Sequence, residues 1–159
     1  MKIGVVSGLP RECACFDSIP RAQRNFETFA GVGPERAAHG AEALIEAGAR
    51  GLVSFGVAGS LAVVARAGVV VLAEAVVDGN QLYPTDTEWR DRIRGSISDT
   101  CEVILGTLAG TDRIISTPNG KQKLHKHTGA VACDMESHAV ARIATRHGGS
   151  AHHADFWGG

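Results

Sequence analysis

The sequence predicts an α/β fold built on a central sheet of mixed or mostly parallel strands. Short apolar, β-branched runs alternate with segments of helical spacing along residues 1–148. The most apolar of these runs, residues 68–77, has the length and β-branched content of a buried strand. Glycine is high at 20 residues and aromatics are low at 5 %, which suits tight turns and close approach between strands and helices.

Residues 2–7 form the first strand, and Gly8 and Pro10 follow, so Glu12 falls just past its C-terminal end, at a helix entry. In open α/β sheets that end is where ligands bind. Residues 26–30 form the second strand. Gly31-Val32-Gly33 is a turn, and Pro34 suits the first position of a helix. Ala37, Ala38, Ala41, Leu44, Ile45 and Ala47 keep helical spacing up to Gly48. Residues 51–55 form the third strand, ending in the turn Gly56-Val57-Ala58-Gly59-Ser60. After the buried strand 68–77, Thr85-Asp86-Thr87-Glu88 has capping-box spacing and opens a helix to about Ile93. Residues 102–109 read as a strand, and a turn at Gly110-Thr111-Asp112 precedes Ile114 and Ile115. Thr117-Pro118 has the character of a cap and a first helical residue, for a short helix to about Lys126. Residues 131–133 are a short strand. Asp134 fits an N-cap, with Met135, Ala139, Val140, Ile143 and Ala144 on one helical face. The last eleven residues, 149–159, lack periodicity and aliphatic residues and read as an unstructured tail.

Composition narrows the function. The chain has 159 residues and a net charge of −1, which suits one domain able to bury roughly 70 % of its unfolded surface. Near-neutral charge argues against nucleic acid or an anionic membrane as the main partner. There is no apolar run of about 18 residues, so no transmembrane helix is expected. The N-terminal apolar stretch is too short for a signal peptide, which points to the cytoplasm. Cys13, Cys15, Cys101 and Cys133 lack metal-ligand spacing and read as free thiols. His125, His127, His152 and His153 have no matching carboxylate or thiol partners, so no metal site is expected. A dinucleotide fold fares poorly, because Gly31-Val32-Gly33 lacks the third glycine and the acidic residue that should follow. A P-loop is absent, since Asn119-Gly120-Lys121 has no upstream glycine partner.

Four ordered segments then carry a resemblance. They are residues 1–6 with Glu12; Gly31-Val32-Gly33-Pro34-Glu35-Arg36-Ala37-Ala38; Phe55-Gly56-Val57-Ala58-Gly59-Ser60-Leu61; and Ala132-Cys133-Asp134-Met135-Glu136-Ser137-His138-Ala139-Val140-Ala141. Together they resemble the purine nucleoside phosphorylase/nucleosidase superfamily. The nearest branches look like the methylthioadenosine/S-adenosylhomocysteine nucleosidases and the hopanoid-associated phosphorylases. The resemblance implies a three-layer α/β/α fold around a mixed sheet, a homo-oligomer and no cofactor. It also implies cleavage of the N-glycosidic bond of an adenosine derivative, for which adenosylhopane is one candidate, with release of adenine. Inorganic phosphate is a co-substrate if the reaction is phosphorolysis; hydrolysis is the alternative.

Carried over residue by residue, the resemblance makes Glu12 the group that orients and polarises the attacking water. A carboxylate suits this, because it accepts a proton and favours a cationic sugar. Its competing reading is a solvent-facing residue in a polar turn. Glu136 would accept the ribose hydroxyls, against a competing role in the helix dipole. Met135 would pack beneath the sugar, or simply fill core. Ala58 and Gly59 would let backbone approach the ligand, or only form a tight turn. Ile114 and Ile115 stand where the family seats adenine, and as a β-branched pair could equally be core. Val57 departs from the small hydroxyl residue common in the nucleosidases, and Ile114 from the usual aromatic. Ser7 and Gly8 with Arg11 and Arg36 would form a phosphate-binding edge, or the arginines would be solvated surface.

One element of the family pattern has no match. Its members continue past the Met-Glu helix with a strand ending in a Ser-Asp pair, whose Asp protonates the purine. Nothing after Gly148 matches, and Asp155 is given that role by no preceding strand. The expectation is a missing C-terminal strand-helix unit, from truncation or a shifted frame, with 149–159 a tail foreign to the pattern. General acid catalysis is worth about 10²–10⁴-fold, so weak or no turnover is expected. The alternative to an enzyme is a catalytically impaired nucleoside-binding remnant or subunit.

Overall fold

The computed structural model describes residues 1–148, 151–153 and 155–156. Strand β1 (Ile3–Ser7) pairs in parallel with β2 (Phe26–Ala30) and with β3 (Gly51–Ser54). A one-turn helix α1 (Pro10–Cys13) and two 3-10 turns fill the connection from β1 to β2. Helix α2 (Pro34–Glu46) joins β2 to β3, starting at the proline as the sequence requires. Then come β4 (Gly59–Ser60), β5 (Val70–Asp78), β6 (Gln81–Pro84), α3 (Thr87–Ile97) and β7 (Val103–Gly110). Helix α4 (Pro118–Thr128), β8 (Ala132–Asp134), α5 (Ser137–Arg146), β9 (Ala151–His153) and β10 (Asp155–Phe156) complete the order.

Among the described residues, one set of strands runs β2-β1-β3-β9 and the other β10-β5-β7-β8-β4, with β6 hairpinned onto β5. The β5–β7, β7–β8 and β3–β9 pairs are parallel; β4–β8, β5–β6 and β5–β10 are antiparallel. The sheet is therefore mixed. Side chains alternate along the strands and build a core on each face. Val6, Leu52, Val71 and Ala73 pack with Ala37, Ala41 and Leu44 of α2 and with Ala139, Val140 and Ile143 of α5. On the other face Val5, Val53, Val70 and Leu72 meet Trp89, Ile93 and Ile97 of α3 and the rings of Phe16, Phe26 and Phe55. Leu124 of α4 joins Ala109, Ala130 and Cys133 in a smaller cluster. Helices thus cover both faces, in the three-layer α/β/α arrangement.

Several expectations are corrected. The helix from Thr85 is capped by Asp86, whose carboxylate accepts from the Trp89 N–H at 2.8 Å. Thr85 is buried instead, its hydroxyl donating to the Ala73 carbonyl at 2.6 Å, with the Glu74 carbonyl at 3.0 Å. The helix also runs four residues further, to Ile97. Helix α5 starts at Ser137, so Met135 precedes the helix and is not on its face. Glu136 stands at the cap position, while the Asp134 carboxylate accepts from the Ser137 N–H, as its reading as a cap requires. The tail expected to be unstructured contributes β9 beside β3 and β10 beside β5. Pairing at a sheet edge runs through main-chain N–H and C=O groups and needs no aliphatic pattern. After Gly148, where the missing strand is expected, the chain thus supplies a short strand beside β3. Residues 149, 150, 154 and 157–159 lie outside the described residues.

Candidate active site

The site is assembled where strands end. Residues at or after the C-terminal ends of β1, β3, β7 and β8 line a cavity of about 290 Å³. Gly8, Leu9 and Glu12 come from the first of these ends, Val57 and Gly59 from the second, and Thr111, Ile114 and Ile115 from the third. Cys133, Asp134, Met135 and Glu136 line it from the last, and Val32 from the turn before α2.

Glu12 is buried at the third position of α1. Its Oε2 accepts from the Leu9 N–H at 2.8 Å and its Oε1 from the Val57 N–H at 3.1 Å. Backbone donors from both ends of the carboxylate hold it in one place, facing the cavity. Gly56 permits this: a Cβ there would lie 3.0–3.1 Å from the Glu12 carboxylate atoms. Glu136 accepts from the Gly33 N–H at 2.7 Å through Oε1. Gly8 lies against it, a Cβ there reaching 3.1 Å from Oε1. Burial pushes the Glu136 carboxyl above the ordinary glutamate range. The N–H groups of Gly33 and Met135 oppose that, and the charge of Glu12 adds to it.

Asp134 is half-buried, and its carboxyl is pushed up to about 7, loss of solvation outweighing the hydrogen bonds from Ser137. Cys133 is likewise raised by burial, to about 11, which makes it a neutral thiol in the wall. Among the described residues no group of His, Cys, Asp and Glu is arranged to hold a metal ion.

The predicted residues Gly8, Glu12, Gly59, Ile114, Ile115, Met135 and Glu136 all line the one cavity. Ile115 also packs against the Ala109, Ala130 and Cys133 cluster, whereas Ile114 is 76 % exposed at the rim. Ala58 is buried and does not line the cavity. Ser7 is buried too, and Arg11 is exposed on α1; neither lines the cavity. Arg36 lies in a separate surface cavity of about 700 Å³, together with Glu35, Asp112 and Arg142. The structure therefore does not gather Ser7, Gly8, Arg11 and Arg36 into one edge. Sequence reasoning missed Leu9, Val32, Thr111, Cys133 and Asp134 as site residues. The turn Gly110-Thr111-Asp112 after a strand was a usable signal for Thr111, and adjacency to Met135 one for Asp134.

The model of the phosphorylase superfamily matches residues 21–151. The chain belongs to the phosphorylase superfamily. This is an enzyme family, and the matched span holds every site segment except the β1–α1 segment with Glu12, which the fold brings in beside it. Solved structures agree with this phosphorylase fold. A putative methylthioadenosine nucleosidase from Weissella paramesenteroides is 17 % identical, with 99 % of this chain and 87 % of that chain covered and a TM-score of 0.86. The 5'-methylthioadenosine/S-adenosyl homocysteine nucleosidase of Campylobacter jejuni is 19 % identical, with 99 % and 85 % covered and a TM-score of 0.84. A futalosine hydrolase mutant of Helicobacter pylori is 16 % identical, with 99 % and 89 % covered and a TM-score of 0.83. No curated protein matches the chain. No helix among the described residues is long and apolar enough to cross a membrane.

Proposed function

We propose that the protein cleaves the N-glycosidic bond of an adenosine derivative and releases adenine. The observation that carries this reading is the pair of carboxylates, Glu12 and Glu136, fixed by backbone N–H groups on one small, mostly apolar cavity. Glycoside cleavage passes through an electron-poor sugar, and two placed carboxylates suit it. Glu12 takes a proton from the attacking water, or orients phosphate if the reaction is phosphorolysis. Glu136 accepts the ribose hydroxyls. Met135 packs under the sugar, and Ile114 and Ile115 bound the base. Membership of the phosphorylase superfamily and the likeness to nucleosidases support this reading.

The apolar rim, with Val32, Val57 and Ile114 exposed, suits an apolar 5′ substituent such as that of adenosylhopane. The protein is further proposed to act in the cytoplasm as a homo-oligomer and to need no cofactor. Asp155 lies on β10 and is assigned no part in protonating the base.

Adenosine and 5′-substituted adenosines, incubated with the protein with and without inorganic phosphate, test the reading. Free adenine with ribose marks hydrolysis, and free adenine with ribose 1-phosphate marks phosphorolysis. Binding of nucleosides without adenine release would replace the enzyme with a nucleoside-binding protein. Neither binding nor release would overturn both.

A further inference from the structure

Asp134 ends β8, two residues before Glu136, and faces the cavity. Its carboxylate accepts from the Ser137 N–H, 3.0 Å from Oδ2 and 3.3 Å from Oδ1, and from the Ser137 hydroxyl. That hydroxyl also lies 3.0 Å from Ser54 Oγ at the end of β3, with both serines buried. A hydroxyl has one proton to donate. Ser137 gives its proton to Asp134, so Ser54 donates to Ser137. The Asp134 carbonyl in turn accepts from the Thr111 N–H at 2.8 Å and the Thr111 hydroxyl at 2.9 Å. One residue therefore ties together the ends of β3, β7 and β8 and the start of α5.

The first N–H groups of a helix need acceptors, and the side chain of the cap residue is their usual partner. At α5 the cap residue is Glu136, yet its side chain makes no capping bond. Asp134 supplies the acceptor instead, and the Glu136 carboxylate reaches across to Gly33. We propose that Asp134 is a positioning residue, which caps α5 in place of Glu136 and so leaves the Glu136 carboxylate committed to the cavity, anchored by the Ser54–Ser137 hydroxyl pair. The role rests on the reading of Glu136 as the acceptor of ribose hydroxyls.

The test measures binding of two probes by calorimetry: 9-deazaadenosine, whose C-glycosidic bond resists cleavage, and free adenine, which has no ribose. Asp134→Ala is expected to lower affinity for 9-deazaadenosine about 10-fold while adenine changes less than about twofold. Asp134→Asn keeps an acceptor oxygen for the Ser137 N–H and is expected to restore most of the loss. Equal weakening of both probes, no weakening of either, or no recovery in the Asn variant would overturn the role. Where Asp134→Ala does not fold, Ser137→Ala removes only the hydroxyl link and is expected to show the same ribose-dependent split. Its absence there would overturn the role as well. Glu136→Ala separates the two claims: unchanged affinity for 9-deazaadenosine in that variant rejects the ribose reading itself, whatever Asp134 does.

Discussion

At the scale of the residue, burial and hydrogen-bond donors pull the Asp134 and Glu136 carboxyls in opposite directions, and burial prevails at both. Glu12 receives one N–H at each oxygen, from Leu9 and from Val57. At Asp134 burial prevails over its hydrogen bonds and raises the carboxyl to about 7, above the unfolded aspartate value of about 3.9. Below the unfolded value both states carry the proton. As pH rises from about 4 to about 7 the unfolded chain releases it while the folded chain keeps it, so stability falls through that window. Glu136, also raised, acts with the same sign. Asp134→Asn removes the Asp134 share. Its melting temperature is therefore expected to gain on wild type between pH 4 and pH 7 and to hold that gain above. A difference that is flat with pH, by scanning calorimetry, would contradict the assignment. Glu12 is legible because it follows a strand end, and Met135 and Glu136 because they stand in a segment that resembles the family. The link from Asp134 through Ser137 to Ser54 was not, because it joins positions 83 residues apart in the chain.

At the scale of the element, strands and helices with strong periodicity were read well, and short pairings were not. The bounds of β2 match the predicted 26–30, and α2 begins at Pro34 as its proline required. The two-residue β4 falls in a segment whose sequence reads as a turn, because nothing in Gly59-Ser60 shows that β8 will pair with it. The β5–β6 hairpin was missed although Asp78-Gly79 carries a turn signal, with Gly79 at φ +57. Thr85 resembled a cap because its spacing to Glu88 fits one. Burial against β5 directs its hydroxyl to the Ala73 and Glu74 carbonyls instead. The loop after β3 yields its own prediction. Gly56 has no backbone need for glycine, so alanine there keeps the loop, but its methyl group presses on Glu12 at 3.0–3.1 Å. Gly56→Ala is expected to lower the rate of adenine release by about 100-fold through that displacement, with little change in melting temperature. Wild-type rates in this variant would show that Glu12 need not sit where the loop holds it.

At the scale of the whole molecule, the cavity depends on the topology rather than on any one motif. Residues 12, 57 and 136 meet because parallel strands end on the same side of a layered sheet. The fold class was legible from the alternation of strands and helices, and the site from its ordered segments. The stretch after Gly148 was not, because main-chain pairing of β9 with β3 leaves no side-chain signature. The central claim is that this cavity cleaves nucleosides with Glu12 activating the nucleophile. It is tested most directly by measuring free adenine from adenosine derivatives with the wild-type protein and with Glu12→Gln side by side. The account predicts adenine release by the wild type, slow or fast, that falls by about 100-fold or more in the variant. No release by the wild type, or release that is the same in both, would contradict it.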